Sequence, residues 1–99
     1  MKTNHFRLRQ SHMLTAERLM NKVSETDPSD PNTRARYLVR SAMAFRLAGL
    51  SRLARWQWQH AAGCFEEAGL CNKAEYCRGR KAKIRLYDFE QDADGEEDE

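Results

Sequence analysis

The feature that most constrains this chain is a pattern that occurs twice, 20 residues apart, in residues 42–54 and 62–74. Each copy places Ala and Phe three positions apart, follows them with Ala-Gly-Leu, and adds a further Ala four positions after the Leu. Ala and Phe at this spacing share one helix face, and Gly readily takes the left-handed conformation in which many helices end. The two copies therefore predict three helices joined by two tight corners.

The middle helix of the three carries an apolar stripe at helical spacing. Its small and aromatic residues alternate at steps of four and three positions from Ala54 to Ala68, and so they occupy one face. The small residues let neighbouring helices approach closely while the rings fill the remaining space. Together with residues of the flanking helices, this stripe gives the predicted structural core: Phe45, Ala54, Trp58, Ala61, Phe65 and Cys77.

Apolar spacing and capping residues predict an all-α fold for the whole chain. Pro28 ends a first helix, and Asp30 ahead of Pro31 is a typical start for the second. Ser51 and Asn72 are predicted to cap the third and fourth helices. We expect the last three helices to form an antiparallel helical-hairpin core, against which the first docks or exchanges between protomers. The chain thus has about four predicted helices, over residues 12–25, 31–48, 52–68 and 73–85.

The net charge of +2 hides a strong asymmetry along the 99 residues. Residues 1–87 contain all 17 Lys and Arg with only seven acidic residues, whereas residues 88–99 contain the other eight acids. The charges predict three parts: a flexible basic arm over residues 1–10, a single helical domain over 11–87, and a disordered acidic tail over 88–99.

What the sequence lacks disfavours several functional classes. No stretch approaches the roughly 20 apolar residues of a membrane span, and the start has no apolar signal-peptide region, so we expect a cytoplasmic protein. His5, His12 and His60 have no Ser or Cys partner in a supporting pattern, and the sequence contains no Gly-rich phosphate loop. We therefore expect neither an enzyme nor a bound cofactor.

The three cysteines raise the alternative of a metal site. Cys64, Cys71 and Cys77 could join His60 as four zinc ligands, but their spacing matches no zinc pattern. We favour reduced thiols that pack as small apolar side chains, and we predict neither a metal nor a disulfide.

Trp56 is the most informative candidate for partner binding. It lies about 200° around the predicted helix from Trp58, so a stripe that buries Trp58 points Trp56 elsewhere. Outward Trp and Arg residues are enriched in protein interfaces. The alternative is that the first helix or the arm covers Trp56 within the monomer, and a dimer contact would satisfy both hypotheses. The predicted partner-binding residues are Trp56, Arg52, Arg55 and Gln59.

Basic residues on the second and fourth helices suggest a nucleic-acid surface, since such a patch could neutralise phosphates. The alternative is a solvated helical surface. The acidic tail could fold onto the basic face and compete with DNA, or serve solubility alone. The candidate nucleic-acid-binding residues are Arg34, Arg36, Arg40, Arg78, Arg80, Lys81 and Lys83.

The stretch 37–80 resembles the ANR family of small bacterial transcriptional regulators. The residues that carry this resemblance are Tyr37, Ala42, Phe45, Ala48, Gly49, Ala54, Trp58, Ala61, Ala62, Asn72, Glu75, Tyr76, Cys77 and Arg80. The resemblance implies a helical homodimer that binds AraC/XylS-type activators and blocks their dimerisation or DNA binding. The Ala-Gly-Leu corner is also similar to that of PerC-like regulators, and the small-and-large pattern is similar to a tetratricopeptide helix pair.

We therefore expect a small bacterial regulator that acts by protein binding and antagonises an AraC/XylS-type activator. Two alternatives stay open. One is a PerC-like regulator that binds DNA directly, with the acidic tail as internal competitor. The other is a phage- or plasmid-encoded inhibitor whose tail mimics nucleic acid.

Overall fold

Four α-helices follow one another in the computed structural model, which describes residues 2–84, with side chains from residue 7 onward. Consecutive helices pack together, so that α1 lies on α2, α2 on α3 and α3 on α4. This arrangement confirms the predicted all-α fold and the antiparallel α2–α4 core. The helices are α1 (Lys2–Glu25), α2 (Pro31–Leu47), α3 (Ser51–Glu67) and α4 (Cys71–Lys83).

The start of α1 corrects the sequence prediction. We predicted a separate arm over residues 1–10 and a helix from residue 12, but the helical backbone begins at Lys2. Ser11, the expected cap, lies inside the helix. The physical reason is that residues 2–11 contain neither Pro nor Gly, so nothing interrupts a helix that extends toward the N-terminus. The predicted acidic tail and the last residue of the predicted fourth helix lie outside the described residues.

Both Ala-Gly-Leu corners have the same hydrogen-bond pattern. Gly49 and Gly69 have φ of 83° and 78°, the left-handed conformation that the sequence predicted. At the first corner the Leu50 amide donates to the Phe45 carbonyl at 2.9 Å, and the Gly49 amide donates to the Arg46 carbonyl at 3.0 Å. These two bonds form a Schellman motif, which satisfies carbonyls at the end of α2.

The same leucines start the following helices, and this corrects the predicted caps. Leu50 and Leu70 occupy the N-cap positions, without a side-chain capping bond, so α3 begins at Ser51 and α4 at Cys71. The Leu50 carbonyl accepts from the Ala54 amide at 3.0 Å. Because one residue closes one helix and opens the next, neither Ser51 nor Asn72 acts as the predicted cap, and both lie inside their helices.

The start of α2 agrees with the sequence prediction. Asp30 Oδ1 accepts from the Thr33 amide at 3.2 Å, and Pro31 takes the first helical position. In the loop before it, the Ser29 amide and hydroxyl both donate to Asp27 Oδ1 at 2.9 Å. These hydrogen bonds hold the pKa of the Asp27 carboxyl below its usual value. The Asp27 and Asp30 side chains therefore support the α1–α2 connection, together with a backbone bond from the Asp30 amide to the Asp27 carbonyl at 2.9 Å.

All six predicted core residues are buried. Trp58, Phe65 and Cys77 belong to one cluster, which Val23 of α1 joins. Phe45 and Ala54 pack with Ala16 of α1 in a second cluster. The first helix therefore docks against its own chain, and it contributes to both parts of the core.

Alanine substitution should separate the corner glycines from the helical ones. A Cβ at Gly69 meets no atom within 4 Å, so Gly69→Ala tests the left-handed backbone alone and should lower the free energy of unfolding by about 1 kcal/mol. Gly79 also has open space for a Cβ but lies within α4, so Gly79→Ala should raise stability by roughly 0.5–1 kcal/mol. Urea unfolding followed by circular dichroism measures both, and equal effects would contradict the corner assignment.

Candidate functional site

The two tryptophans of α3 lie in opposite environments. Trp58 is 2% exposed, within the core, whereas Trp56 is 57% exposed. Two positions along a helix correspond to about 200° of rotation, so the two rings lie on nearly opposite faces of α3 and cannot both face the core. The alternative that α1 covers Trp56 is therefore wrong, because α1 packs on α2 and leaves the indole open.

The predicted partner-binding residues come together around Trp56. A shallow cavity of about 320 Å³ is lined by all four of them and by one residue of α4, and we call this set the Trp56 surface: Arg52, Arg55, Trp56, Gln59 and Lys81. Lys81 Nζ donates to Gln59 Oε1, so α4 closes one side of the cavity. The surface thus combines an open aromatic ring with three cationic side chains.

Two polar atoms beside Trp56 are buried without a hydrogen-bond partner among the described residues. They are Arg55 Nε and His60 Nδ1. The His60 ring meets Trp56 edge to face, with centroids 5.1 Å apart. A buried polar atom without a partner costs about 1–3 kcal/mol, so these two atoms make the packing beneath the indole polar as well as apolar. The exposed indole therefore borders a region where polar and aromatic groups of α3 pack against each other.

A second surface, which the sequence analysis missed, lies between α2 and α4. Two adjoining cavities of about 440 and 380 Å³ have α2 and α4 as walls and α3 as floor, where Phe65 and Trp58 lie. Tyr76 lines one cavity and Trp58 the other, and the two rings meet edge to face with centroids 6.2 Å apart. We call the two cavities together the central groove, lined by Arg36, Val39, Arg40, Met43, Arg46, Leu47, Trp58, Phe65, Asn72, Lys73, Tyr76, Cys77, Arg80, Lys83 and Ile84.

A sequence signal for this groove exists. Val39, Met43 and Leu47 follow one another at steps of four and form a second apolar stripe on α2. Met43 and Leu47 are exposed and Val39 is half-buried, and all three line the groove. The stripe that carries Phe45 predicts one apolar face for α2, whereas the helix has two.

The seven candidate nucleic-acid residues do not form one patch. Four border the central groove: Arg36, Arg40, Arg80 and Lys83. Lys81 belongs to the Trp56 surface, and Arg78 pairs with Glu66. Arg34 is half-buried, and its charge acts on the Cys64 thiol. The groove therefore retains the part of the basic set that could bind an anionic ligand.

The cysteines divide between core and surface. Cys64 and Cys77 are buried and Cys71 is exposed, so packing as apolar side chains is right for two of the three. Burial raises the pKa of both inner thiols, since the thiolate is poorly solvated there. Among the described residues, no three His, Cys, Asp or Glu side chains lie together as metal ligands would.

Thiol labelling should distinguish these environments. At pH 8 a disulfide reagent should modify one thiol per folded chain quickly, because only Cys71 is exposed and the inner thiols keep little thiolate. Cys71→Ser should remove the fast phase, and guanidinium should make all three thiols reactive in the original chain. Three equally fast reactions in the folded chain would contradict the burial of Cys64 and Cys77.

Known proteins give no direct assignment for this chain. No family model, no curated protein and no solved structure matches it. In the described part of the chain, no helix has the length and apolar character that crossing a bilayer requires. The function must therefore be inferred from the Trp56 surface and the central groove.

Proposed function

We propose that this chain is a small bacterial transcriptional regulator that acts by binding another protein through the Trp56 surface. The observation that carries the proposal is the open indole of Trp56, 57% exposed between cationic side chains. Truncation of a buried Trp or Arg at an interface often costs 2 kcal/mol or more. Leu53, on the same side of α3 and also exposed, adds apolar area beside the indole.

The charges around Trp56 define the partner's chemistry. Arg52, Arg55 and Lys81 surround the ring, and no acidic residue is among the described residues that line the cavity. A complementary protein has an apolar pocket for the indole and carboxylates or carbonyls at its rim. Arg52 and Arg55 line the cavity and are suited to such carboxylates, because a guanidinium can donate two parallel hydrogen bonds.

The resemblance to the ANR family identifies the class of partner that we propose. It is an AraC/XylS-type activator, which the chain would antagonise by covering the surface that the activator needs for dimerisation or for DNA. The corner residues and the Trp58 stripe carry this resemblance. They form the helical frame that holds Trp56 on the surface, and this supports the proposed role.

Direct DNA binding is the second candidate, and one observation favours it. Four of the seven candidate basic residues border the central groove. The groove floor is nevertheless apolar, with Phe65 and Trp58, whereas duplex phosphates require cations on an accessible polar surface. We therefore place protein binding first, and a gel-shift titration with the activator's promoter alone would distinguish the two.

Removal of the indole should weaken the complex without loss of fold. In a bacterial reporter assay with AraC/XylS-type activators of the same genome, the original chain should lower transcription and Trp56→Ala should restore it. Calorimetry should show binding at least about 30-fold weaker, which corresponds to 2 kcal/mol. Helix content should persist, since Ala favours helices more than Trp does and Trp56 is outside the core.

Two variants control this experiment. Leu14→Ala removes an exposed apolar side chain from α1, away from the Trp56 surface, and should leave repression intact. Trp58→Ala removes a core ring and should lower stability by about 3–5 kcal/mol. Repression by Trp56→Ala as strong as that of the original chain would refute the proposed surface, and unfolding of Trp56→Ala would assign it to the core.

The proposal includes a homodimer, as the family resemblance implies. Sedimentation velocity of the purified chain should give about twice the monomer mass of 11.6 kDa. If the Trp56 surface is also the dimer contact, Trp56→Ala should shift the chain to monomer, while Leu14→Ala should not. A monomeric mass at all protein concentrations would rule out the homodimer. The complex with the activator would then be the remaining test of the proposed function.

A further inference from the structure

We propose that the central groove is a binding surface for acidic, aromatic peptide segments, and that its occupant is residues 86–99 of this same chain. This inference goes beyond the proposed function, because the groove and the Trp56 surface share no residue. Three features carry it: an apolar floor, a basic rim, and a complementary segment that follows the end of the groove.

The walls of the groove expose large apolar side chains. Tyr76 is 59% exposed and Leu47 is 62% exposed, and Met43 is exposed beside them, whereas the Trp58 and Phe65 rings lie buried beneath the groove. Contiguous apolar surface of this kind is typical of interaction sites in soluble proteins. It favours a ligand that contributes aromatic or aliphatic side chains rather than a purely ionic one.

The rim of the groove is cationic on both sides. No acidic side chain is found among the described residues that line it. Lys73 Nζ lies 5.7 Å from the Phe65 ring centre, and the Arg80 guanidinium carbon lies 5.8 Å from that of Trp58, so these charges stand directly over the floor. The six basic residues of the rim are Arg36, Arg40, Arg46, Lys73, Arg80 and Lys83.

Residues 86–99 have the complementary chemistry. They begin with the apolar residues Leu86, Tyr87 and Phe89. They also contain eight acidic residues, from position 88 onward, and no basic residue. Apolar side chains at the start suit the floor, and the carboxylates suit the rim. Within this sequence no other segment combines aromatic residues with a run of acids.

The last described residue, Ile84, lies at the groove. Ile84 lines the groove and has extended backbone angles, φ −82° and ψ 123°, so the chain leaves the helix beside the site. Along α4 the groove runs from Asn72 to Lys83, about 17 Å at 1.5 Å per residue. Fourteen further residues can span roughly 46 Å when extended, which is enough to turn back along the full groove.

Attachment to the same chain makes this occupant hard to displace. A tethered segment has an effective concentration on the order of millimolar, so even a weak contact is occupied much of the time. An external acidic ligand must then compete with residues 86–99. The segment would act as a built-in competitor for the groove while the Trp56 surface stays free to bind.

A peptide competition experiment tests the inference on the full chain. The probe is a fluorescein-labelled peptide of residues 86–99, titrated by anisotropy at 50 and 300 mM NaCl. The proteins are the original chain and a full-length variant in which the eight acids of residues 88–99 are changed to Asn or Gln. The peptide should bind the neutralised variant at least tenfold more tightly than the original chain, and high salt should weaken this binding severalfold.

Charge reversals then locate the site. In the neutralised variant, Arg36→Glu with Arg40→Glu should weaken peptide binding at least tenfold, while a matched pair on α1, Arg7→Glu with Arg18→Glu, should not. Circular dichroism confirms the fold of each. Trp56→Ala should leave peptide binding unchanged, so failure of the Trp56 surface and failure of the groove are distinguishable.

Three results would overturn the inference. One is equal affinity of the peptide for the original and the neutralised chains. Another is unchanged peptide binding after reversal of Arg36 and Arg40. The third is a 20-base-pair duplex that binds the neutralised variant when the peptide does not, which would make the groove a nucleic-acid surface.

Discussion

The hydrogen bond from each corner leucine back to the phenylalanine carbonyl is the interaction on which the rest of the structure depends. The Leu50 amide closes α2 on Phe45, and the Leu70 amide closes α3 on Phe65. Gly49 and Gly69 make this possible because they adopt positive φ without a steric penalty. Two such corners make α3 antiparallel to both neighbours, so α2 and α4 run in the same direction on either side of it.

This arrangement explains why one helix serves two surfaces. The side of α3 that carries Trp58 and Phe65 is the floor between α2 and α4, while the side that carries Trp56 faces outward. Arg80 of α4 lies over the first side, and Lys81, its neighbour, bonds to Gln59 beside the second. A short helix with cations at successive positions thus places positive charge at both surfaces.

Much of the fold could be predicted from particular residues. The repeated Ala-Gly-Leu gave the corners, Asp30 with Pro31 gave the start of α2, and the rotation between Trp56 and Trp58 gave the assignment of inner and outer ring. The start of α1 was missed because propagation through residues 2–11 depends on the absence of helix breakers rather than on a cap. The central groove was missed because packing between helices distant in sequence decides whether an apolar stripe is covered, as at Phe45, or left open, as at Leu47.

The shared leucine has a further consequence for the relative orientation of the helices. The Leu50 amide belongs to the last hydrogen bonds of α2 and its carbonyl to the first of α3. The connection between α2 and α3 therefore contains no loop residue that could accommodate an insertion or a deletion. One residue added within the first turn of α3 would rotate the positions of both indoles by about 100° relative to the corner. The number of residues at each corner therefore fixes which face of the next helix turns toward the core. The outer and inner surfaces depend on this register as much as on burial.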